Sequence, residues 1–130
     1  MKLLLIAASL VLSVQSMAST KVDRLLNKGL YNGAGTNLTV DAKSVHIEMG
    51  CSHGDFARPT LNGNGTFFAD GVTQSEVMSM PPPTKRNVRY EGSISTDGKE
   101  LKLTMIENGV RSSELVFKKA VVLSHLMKCR

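Results

Sequence analysis

One stretch of the chain, residues 45–54, constrains the fold more than any other part. Its first five residues read Val-His-Ile-Glu-Met, so apolar and polar side chains alternate. A period of two places Val45 and Ile47 on one side of an extended backbone, and His46 and Glu48 on the other. This pattern predicts a β-strand that buries one face in a core and keeps the other face polar.

The first residues of the chain have the pattern of a signal peptide. Lys2 supplies a positive charge, and residues 3–14 are apolar except for two serines. Such a run is too short for a transmembrane helix, which needs about 20 apolar residues. Ser16 and Ala18 are small residues of the kind that a signal peptidase recognises. We therefore predict cleavage near Ala18 and a periplasmic or secreted protein whose mature chain has no transmembrane segment.

The chain contains two cysteines, Cys51 within the first stretch and Cys129 next to the C-terminus. In an exported protein, two cysteines most simply form one disulfide. This bond would join the strand at residues 45–49 to the last strand of the chain. The two cysteines are 78 positions apart, and closing a loop of this length stabilises a fold by about 4–5 kcal/mol in chain-entropy theory.

In the rest of the chain, turn sequences occur at intervals typical of antiparallel β-structure. Residues 19–28 come first, and within them residues 21–27 can form a short N-terminal helix that stops before Gly29. Short alternating runs then follow, separated by turn sequences such as Asp-Gly and Asn-Gly. About eight strands, with turns every ~8–12 residues, favour an all-β fold. We predict that residues 29–130 form a single domain, a small antiparallel barrel or strongly curled sheet, because closure removes exposed strand edges.

The alternation also predicts which side chains form the core. The apolar residues of each run should be mostly buried, while Arg89, Glu91 and Lys102 should be exposed. Residues 121–129 alternate as well and are predicted to form the last strand. The predicted core consists of Val45, Ile47, Met49, Val88, Tyr90, Ile94, Leu101, Leu103, Met105, Leu115 and Phe117.

Several short motifs occur together in this chain. They are residues 45–54, residues 61–67 with Asp70-Gly71, residues 89–95 with 101–104, and Cys129. Together they resemble a broad group of small secreted bacterial β-barrel proteins, most of them uncharacterised. In that group a strand ends in Gly-Cys-x-x-Gly, a Gly-x-Phe strand follows, and the chain closes on a cysteine. The resemblance spans roughly residues 29–130 and implies the barrel fold but no activity, and the Met- and Pro-rich stretch departs from the glycine-rich connection usual there.

The sequence predicts no set of catalytic residues. Ser52, His53 and Asp55 are the residue types of a hydrolase triad, but a triad is assembled from positions distant in sequence. The chain also lacks the Gly-x-Ser-x-Gly motif of many serine hydrolases. We therefore expect a protein that is not an enzyme and has no cofactor.

A periplasmic copper- or zinc-binding protein is the alternative function. His46, His53, Met78 and Met80 carry nitrogen and sulfur donors that suit these metals. None of the usual close spacings between metal ligands occurs, however, and methionines often fill irregular gaps in packing. In a regular strand, His46 also points away from the face that leads to Cys51. The spacing therefore assigns no metal site.

The expected function is that of a non-enzymatic binding or inhibitor module. Residues 52–59 and 71–86 are predicted to be loops, and loops on a rigid scaffold often carry recognition. The net charge is +5, and the one dense group of cations is Lys85, Arg86 and Arg89. We expect these three side chains to converge and to bind an anionic envelope component or another protein. We expect a monomer, and no binding to nucleic acid, because few aromatic residues accompany the cations.

Overall fold

The structure, a computed structural model, describes residues 24–76 and 83–126. Within these residues the chain forms β-strands and turns, and no helix. The strands are β1 (Arg24–Leu25), β2 (Gly29–Gly33), β3 (Thr36–Val40), β4 (Ser44–Glu48), β5 (Ser52–Ala57), β6 (Thr60–Leu61), β7 (Thr66–Ser75), β8 (Arg86–Ile94), β9 (Glu100–Glu107), β10 (Val110–Arg111) and β11 (Leu115–Ala120).

Eight of these strands close into an antiparallel barrel, which confirms the predicted fold class. The main sheet has the order β10-β9-β11-β2-β3-β4-β5-β7-β8, and a further pairing between β8 and β9 joins its ends. β10 extends the hairpin from β9 and lies outside the ring, which leaves eight strands in the barrel. β1 and β6 form a separate two-stranded ribbon. Because the ring is closed, its strands need no separate protection of their edges.

The inward sides of the strands form one apolar core. Val45 and Ile47 of β4 are fully buried, and they are paired across the sheet with Phe56 and Gly54 of β5. Arg89 and Lys102 are exposed as predicted, whereas Glu91 is partly buried beside two arginines. Of the predicted core, Val45, Ile47, Val88, Tyr90, Leu101, Leu103 and Phe117 are buried, and Met49, Ile94, Met105 and Leu115 are partly buried against them.

Aromatic rings fill the middle of the barrel. The centre of the Phe56 ring lies 4.6 Å from that of Tyr90 and 6.2 Å from that of Phe67. The Tyr90 hydroxyl donates a 2.7 Å hydrogen bond to the Val72 carbonyl, so this buried polar group is satisfied. An eight-stranded barrel is only just wide enough for its own side chains. A ligand would therefore find space at an end of the barrel rather than at its centre.

Gly92 makes room for one of these rings. A methyl group on its Cα would lie 2.5 Å from Phe67 Cζ and 2.6 Å from the Lys102 carbonyl oxygen. Gly92→Ala should therefore lower the free energy of unfolding by about 1–3 kcal/mol through overpacking, measurable by urea denaturation. Ser93→Ala is the control, because Ser93 points to the opposite side of β8, and its effect should stay below about 0.5 kcal/mol. Equal losses in the two variants would contradict the register of β8.

The first predicted loop is largely strand, and the second begins as strand. Residues 52–57 form β5, and residues 71–75 are the end of β7. Gly50 adopts a φ of 77° in a tight turn, so β5 begins almost directly after β4. The inward positions of β5 are a serine, Gly54 and a phenylalanine, and the Tyr90 hydroxyl occupies the space beside Gly54. Because an inward position of β5 is a glycine, residues 52–57 lack the alternation of apolar and polar side chains that predicts a strand.

The predicted N-terminal helix is wrong for the part of it that the structure describes. Arg24–Leu25 forms β1 and pairs with β6. Leu26 is fully buried, and its amide donates a 2.9 Å hydrogen bond to the Pro59 carbonyl. A helix of two turns is marginal in water. Pairing with β6 also provides backbone hydrogen bonds, and it places Leu26 in the core.

The predicted last strand, residues 121–129, is absent from its described part. β11 ends at Ala120, and Val121 is 91% exposed. β11 already has β9 on one side and β2 on the other, so the closed ring has no edge for a further strand. A side chain holds the segment instead. The Asn37 amide donates to the Ser124 carbonyl at 2.7 Å, and its oxygen accepts from the Ser124 amide at 3.1 Å.

Some predicted features fall on residues that the structure does not describe. They are the signal peptide at residues 1–18, Met78, Met80 and Cys129. Cys51 lies in the turn between β4 and β5, but its predicted partner is outside the described residues, so the disulfide stays a prediction. None of the described residues belongs to a helix long and apolar enough to cross a membrane.

Candidate functional site

One end of the barrel contains a cavity of about 290 Å³. It lies where β5 and β8 begin and where β7 and β9 end. Val88, Met105 and Val110 supply its apolar surface. Its volume is close to the lower limit for small-molecule sites, which is about 300 Å³, and most of its lining residues are polar. The polar side chains of the lining are Ser52, Thr73, Arg86, Glu107, Arg111 and Ser112.

Arg86 lines this cavity because of the strand period. Val88 and Tyr90, two and four residues further along β8, point into the core, so Arg86 lies on the same side. Its Nε donates a 2.7 Å hydrogen bond to Glu107 Oε2. The Arg86 side chain is 51% exposed, so this ion pair adds little to stability. A guanidinium group has five N–H donors, so Arg86 can pair with Glu107 and still bind a carboxylate or phosphate.

The predicted cluster of Lys85, Arg86 and Arg89 does not form one surface. Arg86 faces the cavity, whereas Arg89, three residues later, lies on the outer side of β8. The Arg89 guanidinium stacks 4.2 Å from the centre of the exposed Phe68 ring and lies 3.4 Å from Glu91. Lys85 is exposed and precedes β8. Residues three apart in a strand point to opposite faces, so the expected convergence is wrong.

The three residues with hydrolase-type side chains also lie on opposite faces. Ser52 lines the cavity, while His53 and Asp55 lie on the outer face of β5. His53 contacts Glu76, and Asp55 contacts His46. These three side chains therefore do not form a triad.

The outer face of β4 and β5 carries two histidines and two carboxylates, and a third carboxylate, that of Glu76 after β7, contacts one of the histidines. Strand pairing places His46 opposite Asp55 and Glu48 opposite His53. His46 Nδ1 lies 2.7 Å from Asp55 Oδ1, and His46 Nε2 lies 3.5 Å from Glu48 Oε1. His53 Nδ1 lies 3.3 Å from Glu76 Oε1, and the centres of the two imidazole rings are 5.9 Å apart. The structure thus brings together two of the candidate metal ligands, whereas Met78 and Met80 lie outside the described residues.

These carboxylates change the titration of His46. Partial burial acts to lower the pKa of this imidazole, because burial disfavours the charged form. The hydrogen bond and the charge of Asp55, together with Glu48, outweigh burial and raise the pKa of His46 above its usual value. The stabilisation from these contacts is therefore present while His46 is protonated, and it is lost as the pH rises through that raised pKa.

The sequence did not predict that His46 and His53 are neighbours. The reason is that residues 52–59 were expected to be a loop, so the strand partner of β4 was unknown. The polar residues His53 and Asp55, two apart and close behind Gly50, are the signal that could have indicated the hairpin. Glu107 and Arg111 line the cavity only because β8 and β9 pair and close the barrel. No pattern in the neighbouring sequence predicts this.

Comparison of the chain with protein-family models, with curated proteins and with solved structures gives no match. Its function must therefore be argued from the cavity and from the side chains on the surface of the barrel.

Proposed function

We propose that the protein is a non-enzymatic binding module that takes an anionic group in the cavity at the end of the barrel. The observation that carries this proposal is that Arg86 lines the same cavity as the apolar side chains of Val88 and Met105. A cation beside apolar surface suits a small amphipathic molecule with a carboxylate or phosphate at one end. The centre of the barrel is filled, so only a short apolar segment fits.

The cavity also explains how both stretches first expected to carry recognition can take part. Ser52 belongs to one of them, and Thr73 and Arg86 belong to the other, and all three line the same space. A rigid closed barrel holds these positions without rearrangement, which limits the entropy lost on binding. With the predicted signal peptide, the proposed partner is an anionic component of the cell envelope.

Titration with octyl phosphate tests this proposal. The backbone amide signals of Thr73, Val88 and Met105 should shift in nuclear magnetic resonance spectra, and octyl glucoside, which is neutral, should bind more weakly. Hydrogen bonds to a charged group contribute about 1.5–3 kcal/mol, so Arg86→Gln should weaken binding roughly 10- to 100-fold. Affinity should also fall as salt rises, because part of the attraction is screened.

Arg89→Gln is the matched control, since it removes the same charge from the outer side of the same strand. It should leave the affinity for octyl phosphate within about twofold of the original value. Equal weakening by Arg86→Gln and Arg89→Gln would indicate general charge attraction and contradict a site in the cavity. Shifts confined to residues outside the cavity would contradict it as well.

A further inference from the structure

Two donor atoms on the outer face of β4 have the separation of ligands on one metal ion. In a tetrahedral site with bonds of ~2.0–2.1 Å, two ligand atoms lie about 3.4 Å apart. His46 Nε2 and Glu48 Oε1 are 3.5 Å apart. Because the Nδ1–H of His46 donates to Asp55, the neutral ring directs the Nε2 lone pair toward Glu48. Two acceptor atoms that face each other in this way favour a proton or a metal ion between them.

Both imidazoles are held as metal-binding histidines usually are. His46 Nδ1 lies 2.7 Å from an Asp55 oxygen, and His53 Nδ1 lies 3.3 Å from a Glu76 oxygen. A carboxylate on Nδ1 fixes the tautomer whose Nε2 is unprotonated and makes that nitrogen a stronger ligand. The side chains of His46 and His53 are 38% and 26% exposed, so an ion from solvent can reach them.

The His53 ring lies close enough to supply the third donor if it moves toward His46. The two ring centres are 5.9 Å apart, whereas two imidazoles on one tetrahedral metal have centres about 5–5.5 Å apart. As they stand, no three His, Cys, Asp or Glu side chains in residues 24–76 and 83–126 are arranged to hold a metal ion. Binding therefore requires the His53 ring to move toward His46. The pairing of β4 with β5 keeps both backbones in place during this movement.

We propose that His46 Nε2, the Glu48 carboxylate and His53 Nε2 bind one divalent transition-metal ion, zinc or copper, on the outside of the barrel. Asp55 and Glu76 act as positioning residues. Two imidazole nitrogens with one carboxylate suit Zn²⁺ and Cu²⁺, whereas Mg²⁺ and Ca²⁺ prefer oxygen ligands throughout. This site is independent of the cavity, because its side chains point outward from β4 and β5 while the cavity is lined by inward residues and by the β9–β10 hairpin.

Isothermal titration calorimetry with zinc chloride tests the site. The sample is the protein as its host produces it, without a polyhistidine tag. One Zn²⁺ should bind per chain, and Mg²⁺ should not bind. His46→Gln and His53→Gln should abolish zinc binding. Asp55→Asn should weaken it by about 10- to 100-fold, since the ring loses its orienting carboxylate. Long-range ¹H–¹⁵N correlation spectra of the imidazole rings should show that zinc shifts the Nε2 signals of both histidines. A purely structural role of these residues would not produce such shifts.

Glu100→Gln is the control for Glu48→Gln, because each removes one carboxylate from the outside of the barrel. Only Glu48→Gln should weaken zinc binding. An equal effect of the two variants would reduce the result to a general loss of negative charge and overturn the site. Failure of the folded protein to bind zinc, or unchanged zinc binding by both histidine variants, would overturn it too. None of these results for zinc changes the result expected for octyl phosphate. Either proposal can therefore be contradicted without the other.

Discussion

Leu103→Ala should lower the free energy of unfolding by about 2–5 kcal/mol. Leu103 is fully buried on β9, and its neighbours across the sheet are Gly92 of β8 and Leu115 of β11. Gly92 has no side chain that could move into the space left by the leucine. The closed ring also restricts movement of the strands, so the substitution should leave a void where the leucine side chain was. The folded protein then loses both the transfer free energy of that side chain and its packing contacts.

Urea denaturation measures this effect as a shift of the midpoint at constant slope. Val110→Ala is the control, because Val110 is 71% exposed on β10, and its effect should stay below about 0.5 kcal/mol. A loss of less than that amount for Leu103→Ala would mean that β9 does not present this residue to the core. The register between β8 and β9, and with it closure of the barrel, would then be wrong.

Replacing Cys51 by serine should lower the free energy of unfolding by about 4–5 kcal/mol, through loss of the predicted bond to Cys129. The described end of the chain supports that pairing. Asn37 holds Ser124 through two hydrogen bonds, and Asn37 is paired with Glu48 near the end of β4. Cys51 lies in the turn directly after β4, and five residues of extended chain reach about 17 Å. A chain of this reach, starting from the described position of Ser124, is therefore long enough for the predicted bond at this turn.

Mass spectrometry of the non-reduced protein should give a mass two hydrogens below that of the dithiol. Reductant should lower the midpoint of unfolding of the original protein and leave that of Cys51→Ser unchanged. Cys129→Ser should match Cys51→Ser, because either substitution opens the same loop. Two free thiols in the folded protein, or equal sensitivity of the Cys51→Ser variant to reductant, would contradict the disulfide.

The fold class and most of the core could be predicted from the sequence because they depend on a local period. Side chains alternate across an extended backbone whatever the rest of the chain does. Tyr90, Leu101, Leu103 and Phe117 are therefore buried as predicted. Closure of the barrel also followed, since a chain with many short strands has few other ways to remove its edges.

The errors in the fold arose where contacts between distant parts of the chain decided the local structure. Gly54 sits at an inward position of β5 because the Tyr90 hydroxyl comes close to it from β8. No local pattern in residues 52–59 reveals that contact. The absence of a strand at residues 121–126 has a similar cause, since β11 is already paired on both sides when the ring closes.

The separation of Arg86 from Arg89 was determined by the sequence, because residues three apart in a strand face opposite sides. The pairings of Arg86 with Glu107 and of His46 with His53 depended on the tertiary structure. Residues 86 and 107 meet only because β8 and β9 are adjacent in the barrel, and the two histidines meet only in the observed register of β4 and β5. The local period of the chain determines which face a side chain occupies. The pairing of distant strands determines which other side chains share that face, and both candidate sites result from that pairing.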